Sequence, residues 1–177
     1  CIESVIYRSN YTNYEIILID NNSDDYKSLE YFDSLKNNSK IKVYKYNYPF
    51  NFSAINNFAV NQASGEHIIF LNNDTEVISN NWIESMLEFS QKETIGCVGA
   101  KLLYPNTNIQ HAGVIIGLGN LAGHSHRFVK FNELGYLASP WIVREYSAVT
   151  AACIMIKKST FLKVRGFNEE YLPVAYN

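Results

Sequence analysis

The chain has 177 residues, enough for one domain that buries roughly 70% of its unfolded surface without disulfide staples. Hydrophobic residues make up 47% and charged residues 18%, which excludes a disordered chain. The net charge is −2 with no Lys/Arg run, which argues against a nucleic-acid backbone as partner. Cys1, Cys97 and Cys153 are odd in number and lack C-x-x-C spacing. They read as reduced apolar side chains in a reducing compartment, not as a zinc site or a disulfide framework. No run reaches ~18 apolar residues, so no transmembrane helix is predicted, and no signal peptide is visible. The chain opens on Cys1 inside a helical pattern and stops at VAYN, which predicts a piece of something longer.

Ile2, Val5 and Ile6 have helical spacing. EIILID (15–20) is an apolar run of strand length, followed by the polar cluster NNSDD. Leu29, Phe32 and Leu35 predict a helix, and the alternating, β-branched IKVYKY (41–46) a strand. Ser53 is the predicted cap of a helix whose apolar face is Ile55, Phe58, Ala59 and Ala63. HIIFLN follows as a strand, and Asn81 with Glu84 resembles a capping box before Trp82, Ile83, Met86 and Leu87. GCVGAKLLY (96–104), GVIIGL (113–118) and AACIMIKK (151–158) are strand-like. Ser159 is the predicted cap of a short helix that Gly166 ends.

Strand and helix alternate over the first hundred residues, which predicts βαβ units, a parallel sheet and helices on both faces. Ligands of such sheets bind beyond the carboxyl ends of the strands. Two predicted strands empty into acids and amides there: LIDNNSDD and FLNNDTE. Asp20, Asn21, Asn22 and Ser23 offer hydrogen-bonding groups for a base and ribose. Asp74 and Glu76 offer carboxylates for a hard divalent ion that phosphates and water would complete. Such an ion stabilises a departing diphosphate as a Lewis acid.

LIDNNSDD, PFNFSAINNFAVNQASGEHIIFLNNDTEVISNNWIESM, VGAKLLYP, QHAGVIIGLG and YSAVTAACIMIKKSTFLKVRGFNEEY together resemble an inverting family-2 glycosyltransferase of the GT-A fold. The nearest subgroup builds bacterial surface polysaccharides, rhamnosyltransferases among them. The resemblance implies an α/β, Rossmann-like, mostly parallel sheet that here lacks its first strand and C-terminal part. Residues 1–177 are then one glycosyltransferase domain fragment. Residues 1–95 form its nucleotide-binding half, and residues 96–177 an incomplete acceptor-side half. The implied reaction moves a sugar from a nucleotide-diphosphate donor to a hydroxyl of a growing glycan or lipid-linked acceptor, with inversion. The implied cofactor is a divalent metal, Mg²⁺ or Mn²⁺.

By position, the resemblance puts Asp20 and Asn21 on the base and ribose, and Asn57 near the donor. Asn73 and Asp74 fall on the family's aspartate motif, where this chain has NND, so Asp74 is the expected metal ligand. The catalytic base, which takes the proton of the attacking hydroxyl, is expected after Asn177; Glu145, Glu169 and Glu170 have no match to it. The opening strand would lie centrally in the sheet. Its absence leaves an edge that a second copy could cover as a homodimer. The implied location is cytoplasmic, at or near the inner face of the membrane.

The Gly-rich segment GLGNLAGHSHR (117–127) lacks the strand–helix context of a dinucleotide loop. It reads either as a mobile loop or as one over acceptor or donor phosphates, with His124, His126 and Arg127 as the contacts. His111 reads as a core or supporting residue. Thr150, Ala151 and Ala152 are small enough to let a sugar approach the backbone, and Trp141 and Tyr146 could stack on one, although core packing explains these residues equally well. Two other readings remain: a nucleotide-sugar-binding fragment without catalysis, and a sugar nucleotidyltransferase.

Overall fold

The computed structural model of the chain describes residues 1–174. The elements in chain order are α1 (Ile2–Arg8), β1 (Ile16–Asp20), α2 (Tyr26–Leu35), β2 (Ile41–Lys45), α3 (Phe52–Gln62), β3 (His67–Leu71) and α4 (Trp82–Ser90). There follow β4 (Val98–Gly99), β5 (Leu102–Leu103), β6 (Ile109–His111), β7 (Val114–Ile116), β8 (Ala122–His124), β9 (Cys153–Lys157) and α5 (Lys158–Lys163). They divide into two compact units. The first is Cys1–Asn10 with Ile69–Ile156, and the second Tyr11–Ile68 with Lys157–Asn177.

In the second unit β1 and β2 pair in parallel, Ile16 opposite Ile41 through Asp20 opposite Lys45. The α2 crossover between them supplies the dozen or more residues that a parallel pair needs. Asp25 caps α2 by accepting from Ser28 N–H at 2.9 Å, and Asn51 caps α3 by accepting from Ala54 N–H at 2.9 Å. The predicted cap Ser53 is instead inside α3, fully buried, its hydroxyl donating to Leu172 O at 2.6 Å. Leu35, Ile41, Val60 and Phe161 are buried in this unit, each contributing ~1.5–3 kcal/mol.

In a three-stranded sheet β9 lies between β3 and β4. Asn72 N–H donates to Ala152 O at 3.0 Å, and Lys158 N–H to Glu66 O at 2.8 Å, an antiparallel pattern for β3 and β9. β4–β9, β5–β6 and β7–β8 are also antiparallel. Ile109, Cys153 and Met155 are buried here, with Phe70, Ile83 and Met86. Asn81 stands at the start of α4 without a side-chain cap bond, and one carboxylate oxygen of Glu84 is buried without a partner, so the predicted capping box does not form. Ser159 likewise caps nothing, since α5 starts from Lys157.

The fold is mixed α/β, and the mostly parallel sheet expected from sequence is not what forms. Among the described residues β1–β2 is the parallel pair, while the sheets of the first unit are small and antiparallel. The reason is connection length. Beyond Gly99 the links β5–β6 and β7–β8 span five residues each, too short for a crossover and long enough only for hairpins. Among the described residues β1 and β3 lie in separate sheets, so the shared sheet edge expected for LIDNNSDD and FLNNDTE is not seen there.

Gly113 shows how tightly the first unit is fitted. Its φ is +106°, and a Cβ there would sit 2.3 Å from ring atoms of Tyr146. Gly113→Ala is therefore expected to destabilise the protein by about 2 kcal/mol or more, read as a lower urea midpoint with unchanged slope.

Candidate functional site

At the end of β1, Asp20 is 5% exposed. Its Oδ1 accepts from Ser23 N–H at 2.9 Å and closes a turn over the polar cluster. Asn21 does more bracing than its sequence position suggests. Its Nδ2 donates to Tyr46 O and Tyr48 O, both at 2.8 Å, and Asn22 Nδ2 reaches Tyr48 O at 3.2 Å. Asn22 takes a left-handed φ of 59°, which asparagine tolerates. The cluster thus holds the segment after β2, where the Tyr46 and Tyr48 rings lie 5.1 Å apart and Tyr48 is 66% exposed. Tyr48 is a candidate that sequence reasoning passed over; the signal was the aromatic density of YKYNYPFNF.

Asn57, also in this unit, fills its hydrogen-bonding capacity locally. Nδ2 donates to Phe167 O at 2.9 Å and to Glu169 Oε1 at 2.7 Å, and Oδ1 accepts from Phe167 N–H at 2.9 Å. It is a brace for the turn at Gly166–Glu169. Glu169 is thereby occupied, while Glu145 and Glu170 are exposed. The base expected after Asn177 lies outside the described residues.

In the first unit the turn after β3 faces α1. Thr75 Oγ1 donates to Asn72 O at 2.7 Å, and Ser4 Oγ accepts from Val77 N–H at 3.1 Å. Arg8 Nη1 donates to Val77 O at 2.9 Å and pairs with Glu76 Oε1 at 2.7 Å. These contacts bound an open cleft of about 570 Å³ lined by Cys1, Ser4, Arg8, Asn73, Asp74 and Glu76, among others. Glu76, offered by the sequence as a second carboxylate, is occupied by Arg8. Asp74 is exposed, and among the described residues its carboxylate makes no hydrogen bond or ion pair. No group of three His, Cys, Asp or Glu occurs among the described residues, so an all-protein metal cage is not what they build. One free carboxylate beside an amide fits the other mode, in which Mg²⁺ or Mn²⁺ takes one protein oxygen and completes its shell with phosphates and water.

The segment 117–127 is not a bare loop. β7 and β8 form a hairpin, Val114 opposite His124 and Ile116 opposite Ala122. That register brings His124 to His111, Nδ1 to Nδ1 at 2.9 Å, with the rings edge to face. His111 is 1% exposed. Its Nε2 accepts from Gly113 N–H at 3.3 Å and Thr150 N–H at 3.4 Å. An acceptor at Nε2 puts the His111 proton on Nδ1, which donates to His124; His124 then carries its own proton on Nε2. His126 is held between two hydroxyls, Ser125 Oγ at Nδ1 (2.5 Å) and Ser139 Oγ at Nε2 (2.7 Å). Arg127 Nε donates to Tyr104 Oη at 2.9 Å.

Trp141 and Tyr146 both pack on neighbours, Trp141 while remaining 45% exposed. Trp141 donates to Glu133 O at 3.0 Å and lies under Lys101, while Tyr146 covers Gly113. The cysteines are free thiols, as composition suggested, and burial pushes the Cys153 thiol up to about 12.

Burial, with the neighbouring His124, lowers His111 to about 4. Burial and the charge of Arg127 lower His124 as well. The unfolded chain takes up a proton near pH 6.5 that folded His111 refuses until about pH 4. Stability is thus full above pH 6.5 and falls across the window down to pH 4. The His111 share of that loss is about 2 kcal/mol at pH 5. His111→Gln is expected to remove that share of the pH dependence, read from urea unfolding at pH 7 and pH 5.

The whole stretch 1–162 matches the sequence model of Glycosyl transferase family 2. The chain is 44% identical over 177 residues to "Uncharacterized protein y4gI" of Sinorhizobium fredii (strain NBRC 101917 / NGR234), covering 99% of this chain and 20% of that protein. It is 34% identical over 175 residues to "O-antigen biosynthesis protein RfbC" of Myxococcus xanthus, covering 96% of this chain and 13% of that one. The chain therefore spans a fifth or less of the length of these relatives. Because the family match covers far more than half of its residues, the chain belongs to glycosyl transferase family 2.

Proposed function

We propose that the chain transfers a sugar, with inversion, from a nucleoside-diphosphate donor to a hydroxyl of a growing glycan, aided by Mg²⁺ or Mn²⁺. The observation that carries the donor reading is the free carboxylate of Asp74 in an open cleft at the end of β3. Asp74 holds the cation, with Asn73 beside it. When bound, the cation neutralises charge on the departing diphosphate. Asp20 and Asn21 shape the base and ribose contacts by fixing the turn that presents Tyr48, whose exposed ring offers a stacking face. Asn57 contributes through the 166–169 turn rather than by touching the donor.

The attacking hydroxyl must lose its proton as the anomeric carbon–oxygen bond to the diphosphate breaks. Among the described residues Glu145, Glu169 and Glu170 are not assigned the role of taking it. In this reading residues 1–95 are the nucleotide-binding half and residues 96–177 the acceptor-side half. The O-antigen assignment of the Myxococcus relative supports a surface polysaccharide as the product. No helix among the described residues is long and apolar enough to cross a membrane. The proposed place of action is the cytoplasm, at the membrane's inner face. The open edge of β1, whose strand partner is β2 alone among the described residues, supports a homodimer. Sedimentation as a monomer would remove that assembly.

Calorimetric titration with UDP, dTDP and GDP, with and without Mn²⁺, tests the donor site. One nucleotide should bind more tightly with Mn²⁺, and Asp74→Ala should weaken that binding by about tenfold, ~1.4 kcal/mol. Mn²⁺ dependence that survives Asp74→Ala contradicts the metal assignment. Binding without any sugar transfer would leave the binding-only alternative.

A further inference from the structure

The histidine pair and the turn after it form a second cluster in the first unit. His124 has no hydrogen-bond partner at Nε2 among the described residues, and the tautomer imposed by His111 makes that atom an N–H donor. Four residues on, Phe128 is 62% exposed although its ring stacks on Tyr104 at 5.5 Å and an interplanar angle of 8°. His126 and Phe128 take left-handed φ values of 56° and 70°, which persist only where the surroundings impose them. Here Ser125 and Ser139 clamp His126, and Phe128 N–H donates to Ile109 O at 2.8 Å. Both features hang on β6, His124 from His111 and Phe128 from Ile109, two residues apart.

We propose that this segment is a saccharide subsite for the acceptor, in which His124 Nε2–H donates to a sugar hydroxyl and the Phe128 ring stacks on an apolar sugar face. The inference rests on the glycosyl-transfer reading and chooses acceptor over phosphate for this segment. A phosphate would call for charged donors. Burial pushes both rings toward the neutral form, reinforced by His124 beside His111 and by Arg127 beside His124. Arg127 itself commits Nε to Tyr104 and lays its guanidinium 4.8 Å from the Phe128 ring centroid. An aromatic face with a neutral, fixed donor suits an uncharged polyol. The location also fits. Thr150 N–H bonds His111, and Ala152 O bonds Asn72, two residues before Asp74. The small residues 150–152 therefore link the subsite to the turn that carries the donor reading.

The test is NMR on the 177-residue chain. Long-range ¹H–¹⁵N spectra should show His111 protonated on Nδ1 and His124 on Nε2. Methyl glycosides of glucose, galactose, mannose and rhamnose are titrated in one arm, inorganic phosphate and pyrophosphate in the other. At least one glycoside should shift the His124 and Phe128 ring signals, and the phosphates should not. Phe128→Ala should weaken that glycoside by about fivefold, with recovery in Phe128→Trp, both variants keeping the parent amide spectrum. His124→Gln, which retains a donor, should bind where His124→Phe does not. Phosphate shifting His124 and Arg127 while every glycoside is silent overturns the proposal, as does silence from both arms. Nucleotide binding is followed separately at Tyr48, so the donor reading stands or falls on its own signals.

Discussion

The segment Thr150–Ala152 ties the first unit together. Its Ala152 carbonyl takes the N–H of Asn72 as β3 ends, and its Thr150 N–H goes to the buried ring of His111. Ala148 just before it receives the N–H of Val114 through its carbonyl. One short stretch of backbone therefore fixes where the Asp74 turn begins and in which tautomer His111 is held. Side chains larger than alanine at 151 and 152 are not needed for any of this, because the bonds are made by the main chain.

The two ends of this stretch do chemically opposite things. On one side Asp74 is exposed and has no hydrogen-bond or ion-pair partner among the described residues, while its neighbour Glu76 is paired with Arg8. On the other the structure suppresses charge: His111 is buried against His124, and both are pushed toward the neutral form. A free carboxylate suits a cation and a diphosphate, and a neutral imidazole suits a hydroxyl. The second unit follows a similar logic, using asparagine amides to hold backbone and leaving an aromatic ring outside. Asn21 and Asn57 spend their hydrogen bonds on Tyr46, Tyr48 and Phe167, so they set the shape of a surface instead of forming it.

The long elements were legible in the sequence because their patterns are strong. EIILID, IKVYKY, HIIFLN and AACIMIKK each carry a run that becomes β1, β2, β3 or β9 to within a few residues. From Val98 to His124 the strand-like runs GCVGAKLLY and GVIIGL cover β4, β5 and β7, but β6 and β8 were not legible, because strands of two or three residues are too short to show a period. The segment 117–127 read as a loop, and the hairpin register that brings His124 to His111 was not visible in it. Side-chain roles were legible only in part. An asparagine at a strand end looks the same in sequence whether it binds a ligand or braces its neighbours. The residues alone offered Asp74 and Glu76 together, and the resemblance preferred Asp74; the pairing of Glu76 with the guanidinium of Arg8 on α1 was not legible.

The central claim is that Asp74 is the protein's own ligand for a cation shared with a nucleoside diphosphate. A crystal of the chain grown with Mn²⁺ and the nucleotide that binds best, measured at the manganese absorption edge, tests it most directly. The account predicts an anomalous peak within coordination distance of both an Asp74 carboxylate oxygen and the diphosphate. A nucleotide bound with its manganese on other residues, or bound with none, would contradict it.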